Sequence, residues 1–415
     1  MNAGVSICLI TPGHLASTPR LVKAADALAG AGHRVHVVAG RHFAPAEPLD
    51  AAILAQAQWT CTRVAYAAGT AGAVRRLLRQ LARRRLARHP AALALAARAQ
   101  HAGATALMAA AARVPAAFYF GHGGVAGLAA AAAAAGRRGV AYGFDAEDWH
   151  EEESDFVRHD PAERAAVRGL LRAFLPGARV VTCAAPLIGE AFARTYGVAP
   201  VCVLNVFPRA EAPAAPVPPP TPTADQPATL YWFSQTIGPG RGLEGLLDVL
   251  GRLRTPATLH LRGFVDDAYR EALTARAAAA GARPPVFLPP APAAEMARLA
   301  AGAHLGLSLE QSQPPNRDLC LTNKIFTYLL AGVPVALTPT RAQRALAPEL
   351  GDAAVMVDLD TPDETAAALD AWLERRAVPA AAAAWRLGCD RFNWDREQAV
   401  LLAALAPLLR RPASP

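Results

Sequence analysis

Two doubly wound α/β domains in tandem are the architecture this sequence predicts, and three observations predict it. Short β-branched runs alternate with Ala/Leu-rich stretches of helical length along most of the chain, the pattern of parallel sheets covered by helices on both faces. The alternation stops once, at PRAEAPAAPVPPPTPTADQP (208–227), and then restarts on the same plan. A length of 415 residues is enough for two domains of ordinary size, each with its own core.

The strands read in order as VSICLIT (5–11), RVHVVAG (34–40), AAFYFG (116–121), VAYGF (140–144), RVVTC (179–183) and VCVLN (201–205). After the break come ATLYWFS (228–234), ATLHLRG (257–263), VFLPP (286–290), LGLSLE (305–310), VPVALT (333–338) and AAVMV (353–357). The break has no apolar period and reads as a stiff inter-domain linker. The expected organisation is a Rossmann-like domain over 1–207, a Pro-rich linker over 208–228, a second Rossmann-like domain over 229–390 and a C-terminal helix over 391–415 that crosses back to the first domain. Each sheet should present a ligand crevice at the carboxyl ends of its strands, and the cleft between two facing domains is the expected site.

The formal net charge of +8 is concentrated. RRLLRQLARRRLARH (75–89) holds seven arginines and no acid, with Leu77, Leu78, Leu81 and Leu86 at roughly helical spacing. Such a helix suits an anionic membrane surface through Arg75, Arg76, Arg79, Arg83, Arg84 and Arg85; a solvated face is the plain alternative. Nucleic acid is disfavoured, because no aromatic residues interleave the basic ones and no nucleic-acid motif is present. The six cysteines are scattered with no Cys-x-x-Cys pair, so they read as reduced thiols of a cytosolic protein and not as a zinc site. MNAGVSICLITPG lacks the basic start of a signal peptide. The Ala-rich tracts at 91–112 and 125–136 drive membrane insertion too weakly to span. The expected location is cytoplasmic, peripheral at the inner face of the cell membrane if the basic helix binds there.

The loops after the strands carry the candidate chemistry. TPGHLASTPR (11–20) is not Gly-x-Gly-x-x-Gly, which argues against a dinucleotide fingerprint; Gly13 and His14 lie in it, and Arg20 falls in the first turn of the next helix. GHGGVAG (121–127) supplies flexible backbone and His122. DAEDWHEEE (145–153) crowds Asp145, Glu147, Asp148 and His150 at a strand end, where like charges raise carboxylate pKa values and favour acid–base roles; an acidic first helical turn is the alternative. In SQTIGPGRGLEGLL (234–247), Gly238, Gly240 and Gly242 run into a helix with Arg241 at its mouth. In DLCLTNKIFTYLLAGVPVALT (318–338), Thr322 and Asn323 look like N-cap residues, yet Lys324 sits in the first turn, at the positive end of the helix dipole. Two cations at helix starts in one domain predict a diphosphate. VDLD (357–360) reads as a helix cap, not a metal site.

Taken together, these residues resemble a GT-B glycosyltransferase, and most closely glycosyltransferase family four, over nearly the whole chain. The likeness rests on STPRLVKAADALAGAGHRVHVV, WFSQTIGPGRGLEGLL, NKIFTYLLAGVPV and the RFNWD segment (391–395), in that order. It implies retaining transfer of a sugar from a nucleotide-diphosphate donor, with no metal and no cofactor. Arg241 and Lys324 would hold the diphosphate and stabilise the leaving group. Gly238, Gly240, Asn323 and the backbone at Leu288 and Pro289 would complete the donor site. The first domain, with Gly13, His14, Arg20, His122 and Asp145, would hold the acceptor, with the 145–150 loop beside the reacting carbon. Three places depart from the family. Gln235 stands where an arginine is frequent, Thr327 where a glutamate bonds the ribose, and either Glu147 or His150 takes the place of a histidine after an aspartate. The acceptor implied is a cell-envelope or exopolysaccharide glycan, lipid-linked if the basic helix meets a membrane. A nucleotide-sugar 2-epimerase of the same architecture and a non-catalytic GT-B-like scaffold are the competing readings.

Overall fold

A computed structural model describes residues 4–66, 69–86, 92–153, 159–375 and 377–409. They form two compact units: Met1–Val203 with Pro314–Asn316 and Gln398–Pro415, and Leu204–Gln313 with Arg317–Glu397.

The first unit is built on a seven-stranded sheet in the order β3-β2-β1-β4-β5-β6-β7. The strands are β1 (Ser6–Thr11), β2 (Arg34–Arg41), β3 (Thr60–Ala65), β4 (Phe118–Gly121), β5 (Ala141–Ala146), β6 (Val180–Cys183) and β7 (Val201–Cys202), all paired in parallel. Six of these match the runs read from the sequence. β3 does not, because TCTRVA is a half-exposed edge strand with no continuous apolar run. The order reverses direction between β1 and β4, which makes the loops after these two strands the expected ligand-binding edge of the sheet.

The helix Val125–Arg138 follows β4 and presses almost flush against it. A Cβ on Gly127 would lie 2.1 Å from the His122 carbonyl oxygen, and one on Gly121 would lie 2.6 Å from the Gly127 backbone. The glycines of GHGGVAG therefore serve close packing as well as flexibility. The alanines of this helix, buried along most of its length, continue the same close approach.

The second unit has a six-stranded parallel sheet, order β10-β9-β8-β11-β12-β13. Its strands are β8 (Ala228–Thr236), β9 (Ala257–Phe264), β10 (Val286–Leu288), β11 (Leu305–Ser308), β12 (Val335–Leu337) and β13 (Ala354–Met356), all six of them legible in the sequence. Here the order reverses between β8 and β11. Leu230, Trp232, Leu259, Leu261, Leu305 and Leu307 form the sheet's share of a core that the helices on that face complete; each such side chain contributes about 1.5–3 kcal/mol by leaving water. The Pro-rich stretch 208–227 is strapped to this unit at two carbonyls. The Pro213 carbonyl accepts from Trp385 Nε1 at 3.1 Å and the Pro220 carbonyl from His304 Nε2 at 2.8 Å.

The helix Asn323–Ala331, which carries Lys324, is seated by one large side chain. Tyr328 is fully buried, and its hydroxyl donates to the Tyr231 carbonyl at 3.0 Å. Its ring lies on Gly306 of β11, where a Cβ would come within 2.2 Å of Tyr328 Cγ. Gly332, at φ +72°, then ends the helix in the left-handed conformation. Gly306→Ala should push Tyr328 outward and cost about 1–3 kcal/mol, read as a lower urea midpoint at unchanged slope. An unchanged midpoint would mean that the helix does not depend on this seat.

Candidate active site

In the second unit, the loops after β8 and β11 bring together the cations singled out in the sequence. Lys324 is buried in the first turn of its helix, with Nζ 3.0 Å from Glu310 Oε1 and 5.8 Å from the Trp232 ring centroid. Glu310, just beyond β11, was not among the residues expected from the sequence, although it closes the strand run LGLSLE. The anion that answers Lys324 is thus, in the first place, a protein carboxylate. Burial alone would raise the Glu310 pKa; the Lys324 charge and hydrogen bond, joined by the fields of Arg317 and Arg241, hold it below the usual carboxylate value. Among the described residues Lys324 alone pairs with this buried carboxylate, while two arginines act on it through their fields. Two helices open here without a side-chain cap, Asn323–Ala331 after Thr322 and Leu243–Leu250 after Gly242, the latter at φ +74°. Elsewhere Asp160, Asp266 and Thr340 cap their helices by accepting from first-turn N–H groups. Other helices, Pro19–Gly30 and Pro186–Tyr196 among them, also start without a side-chain cap; what sets these two starts apart is the several cations beside them, a combination that suits an anion.

In the first unit, Arg20 lies at the start of the helix Pro19–Gly30, again a buried cation at a positive helix end. It meets Asp145 of β5 two-pronged, Nε to Oδ2 at 2.9 Å and Nη2 to Oδ1 at 2.7 Å, and Nη1 donates to the Val203 carbonyl at 2.7 Å. Thr182 Oγ1 donates to Asp145 at 2.5 Å. Burial would raise the Asp145 pKa, but Arg20, with His122 nearby, drives it far below the usual carboxylate range. Arg20 and Asp145 are thus spent largely on each other, as a brace between β5 and the first helix. His122 is 3% exposed, with Nδ1 3.3 Å from Asp145 Oδ2. That contact falls short of hydrogen-bond geometry, and both ring nitrogens lack a hydrogen-bond partner. His14 is a structural latch: Nδ1 meets Asp50 Oδ2 at 2.6 Å, while Nε2 accepts from the backbone N–H groups of His42 and Phe43 at 3.0 and 2.9 Å. Gly13 N donates to Thr11 Oγ1 at 3.1 Å.

The acidic loop 145–153 divides its carboxylates. Glu151 is taken by Arg168 and Tyr196, Glu152 by Arg164 at 2.9 Å and Glu153 by His150 Nδ1 at 2.9 Å. Asp148 accepts from Asn316 Nδ2 at 2.8 Å, and Asn316 Oδ1 accepts from Trp149 N at 2.7 Å; Asn316 groups with this unit. Glu147 makes no hydrogen bond or ion pair among the described residues. Burial pushes its pKa up, Arg20 opposes, and Asp148 and Asp145 add to the rise, bringing it to about 7. His150 is 4% exposed; burial would lower its pKa, but Glu153 and the other carboxylates raise it.

The other residues expected at the donor site have partners within the chain or lie near strand ends. Thr327 is buried, and its hydroxyl donates back to the Asn323 carbonyl at 3.0 Å, which leaves it only its acceptor lone pairs for any further partner. The Pro289 carbonyl already accepts from Arg262 Nη1 at 2.7 Å, and Leu288 is half-buried in β10. Gln235 lies exposed near the end of β8, with Gly238 and Gly240 in the loop beyond. The basic helix, Gly69–Leu86, does not offer all its arginines outward. Arg79 binds Glu163 at 2.9 Å, Arg83 binds both Glu163 and Asp160, and Arg75 Nη1 donates to the Ala65 carbonyl at 2.9 Å. The buried carboxylate of Glu163 draws two of these cations inward. Arg76, Arg84 and Arg85 are exposed; residues 87–89 of the predicted segment lie outside the described residues. Among the described residues no helix is long and apolar enough to cross a membrane, and no three His, Cys, Asp or Glu side chains are grouped to hold a metal ion.

Two substitutions test this geometry. Asp145→Ala leaves Arg20 buried without its partner and should cost about 3–5 kcal/mol; a loss under ~1 kcal/mol in urea unfolding would remove the brace from the account. Glu147 has a raised folded pKa, so its penalty is absent at low pH and develops as pH rises from the unfolded value near 4.5 through about 7. Glu147→Gln should therefore leave stability nearly unchanged at pH 4.5 and raise it by on the order of 2 kcal/mol at pH 8. Equal effects at both pH values would mean that this carboxyl titrates normally.

No protein-family model and no curated protein matches the chain. Solved structures do. Anabaena HepE in complex with UDP and glucose superimposes with a TM-score of 0.69 at 15% identity, over 97% of this chain and 100% of that one. Sucrose-phosphate synthase from Thermosynechococcus elongatus gives 0.64 at 14%, over 97% and 99%. The lipopolysaccharide outer core galactosyltransferase WaaB, in its apo form, gives 0.62 at 11%, over 97% and 99%. The chain has the two-domain, Rossmann-like fold of the GT-B glycosyltransferases.

Proposed function

We propose that the chain is a retaining glycosyltransferase of the family-four type. It would move a hexose from a nucleoside-diphosphate sugar to a cell-envelope or exopolysaccharide acceptor, without a metal or cofactor. One observation carries this reading: the concentration of positive charge in the second unit, where Lys324 and Arg241 stand at two uncapped helix starts, Lys324 paired with Glu310 and Arg241 adding its field there. As the bond from sugar to diphosphate breaks, negative charge grows on the leaving phosphate, and fixed cations with aligned N–H groups stabilise it without rearranging. In the first unit Glu147, with a pKa of about 7, is the group suited to exchange a proton with an acceptor hydroxyl near neutrality. HepE is bound to UDP and glucose in its structure, so UDP-glucose is the first donor to test.

The acceptor reading draws on the basic helix, whose outward face is apolar. Val74, Leu77, Leu78 and Leu81 are 54, 56, 39 and 40% exposed and follow one another at i, i+3, i+4 and i+7, a single stripe. With the exposed Arg76, Arg84 and Arg85 beside it, this stripe suits shallow insertion into an anionic membrane where a lipid-linked acceptor resides. The leucines, and not the arginines alone, would then carry the binding.

Both readings have direct tests. Release of UDP from UDP-glucose, with lipid extracts as acceptor source, should fall roughly 100-fold or more in Lys324→Ala, the scale seen when one oxyanion-stabilising group is removed. NMR of the product should show the donor's anomeric configuration. Turnover of the donor to an epimerised free sugar, with no acceptor needed, would replace transfer with epimerisation. A folded protein that binds no nucleotide would be a scaffold. In flotation with vesicles rich in anionic lipid, Leu77→Ser with Leu81→Ser should weaken binding at least about tenfold, given some 1.5–3 kcal/mol per buried leucine. Binding that survives this pair would remove the stripe from the membrane account.

A further inference from the structure

Arg317 was not singled out by the sequence, nor is it assigned by any likeness to known proteins. It lies in the segment after β11, and its Nη1 donates to the Gly240 carbonyl at 2.9 Å. That bond fastens the glycine loop after β8 to the segment after β11, the two strands flanking the reversal of the second sheet. Arg317 and Arg241 both act on the buried Glu310 carboxylate, but Glu310 is already matched by Lys324 at 3.0 Å. Among the described residues neither arginine has a carboxylate of its own. One glutamate thus faces a lysine and two arginines, and a further carboxylate, Glu244 in the first turn after Gly242, is engaged by the Tyr269 hydroxyl, which leaves a net positive charge around Gly240 and the open helix start at Gly242. A positive excess beside an uncapped first turn suits a phosphate group. Gln235, where a further cation was expected, is uncharged and exposed near the end of β8.

We propose that Arg317 is a diphosphate-binding residue, supplying from the segment after β11 the positive charge that Gln235 cannot supply from the end of β8. This rests on the nucleoside-diphosphate reading above. With one guanidinium nitrogen held by the Gly240 carbonyl, the remaining donors are oriented in advance, and a planar fork suits the oxygens of a phosphate better than a lysine would.

Calorimetry separates the proposal from the reading beneath it. UDP, GDP and ADP, each with its monophosphate and nucleoside, are titrated into the wild type, Arg317→Gln, Arg317→Lys and Arg241→Gln, all first checked for an unchanged melting temperature. For the base that binds, Arg317→Gln should weaken the diphosphate 10- to 100-fold and the nucleoside less than twofold. Arg317→Lys should recover part of the loss, and the dependence of binding on salt should become shallower. A purely structural tether at Gly240 would instead weaken diphosphate and nucleoside together. That result, or diphosphate binding within twofold of wild type in Arg317→Gln, overturns the assignment of Arg317 while the wider reading stands. No diphosphate binding by the folded wild type overturns both.

Discussion

A cation buried in the first turn of a helix faces the positive end of the dipole and has lost most of its water, so something negative must lie within a few ångströms. This chain meets that condition twice. Arg20 is answered by Asp145 and Lys324 by Glu310, each carboxylate from a neighbouring strand or the residues just after one. The two pairs differ in what surrounds them. Around Asp145 the charges balance, with Thr182 and the Val203 carbonyl taking further bonds, and the result is a rigid brace. Around Glu310 they do not balance, because Arg241 and Arg317 add their fields to that of Lys324. The same local device holds one unit together and leaves the other electrostatically open.

Placement of these pairs depends on how closely helices lie against the strands. Gly306 lets Tyr328 settle on β11, and Gly121 with Gly127 lets an alanine-rich helix lie against β4. Both contacts flank the point where strand order reverses, the place where neighbouring loops diverge and leave room for a ligand. Glycine there serves packing first. The loop backbone is exposed as a consequence of helices starting close to the sheet.

Most of the sheet was legible because buried parallel strands must be continuously apolar, and twelve of thirteen strands announced themselves that way. β3 escaped because an edge strand may be polar on its open side. Lys324 and Arg20 were visible as cations in the wrong place for a helix. Their partners were harder to foresee, since pairing between residues 125 apart, as for Arg20 and Asp145, is set by strand order and not by spacing. The same limit hid Glu310 behind Lys324 and Arg317 behind Gly240. It also concealed that Glu163 turns Arg79 and Arg83 inward and so leaves leucines on the outer face of the basic helix.

The grouping of Gln398–Pro415 with Met1–Val203 bears on biosynthesis. Leu401, Leu405 and Leu409 are buried, yet they leave the ribosome roughly 200 residues after the last strand of the first sheet, about 10–40 s later at ordinary elongation rates. Until then the nascent first unit lacks the leucines that complete it. A premature stop anywhere in the second unit would thus damage both units, not only the one it interrupts.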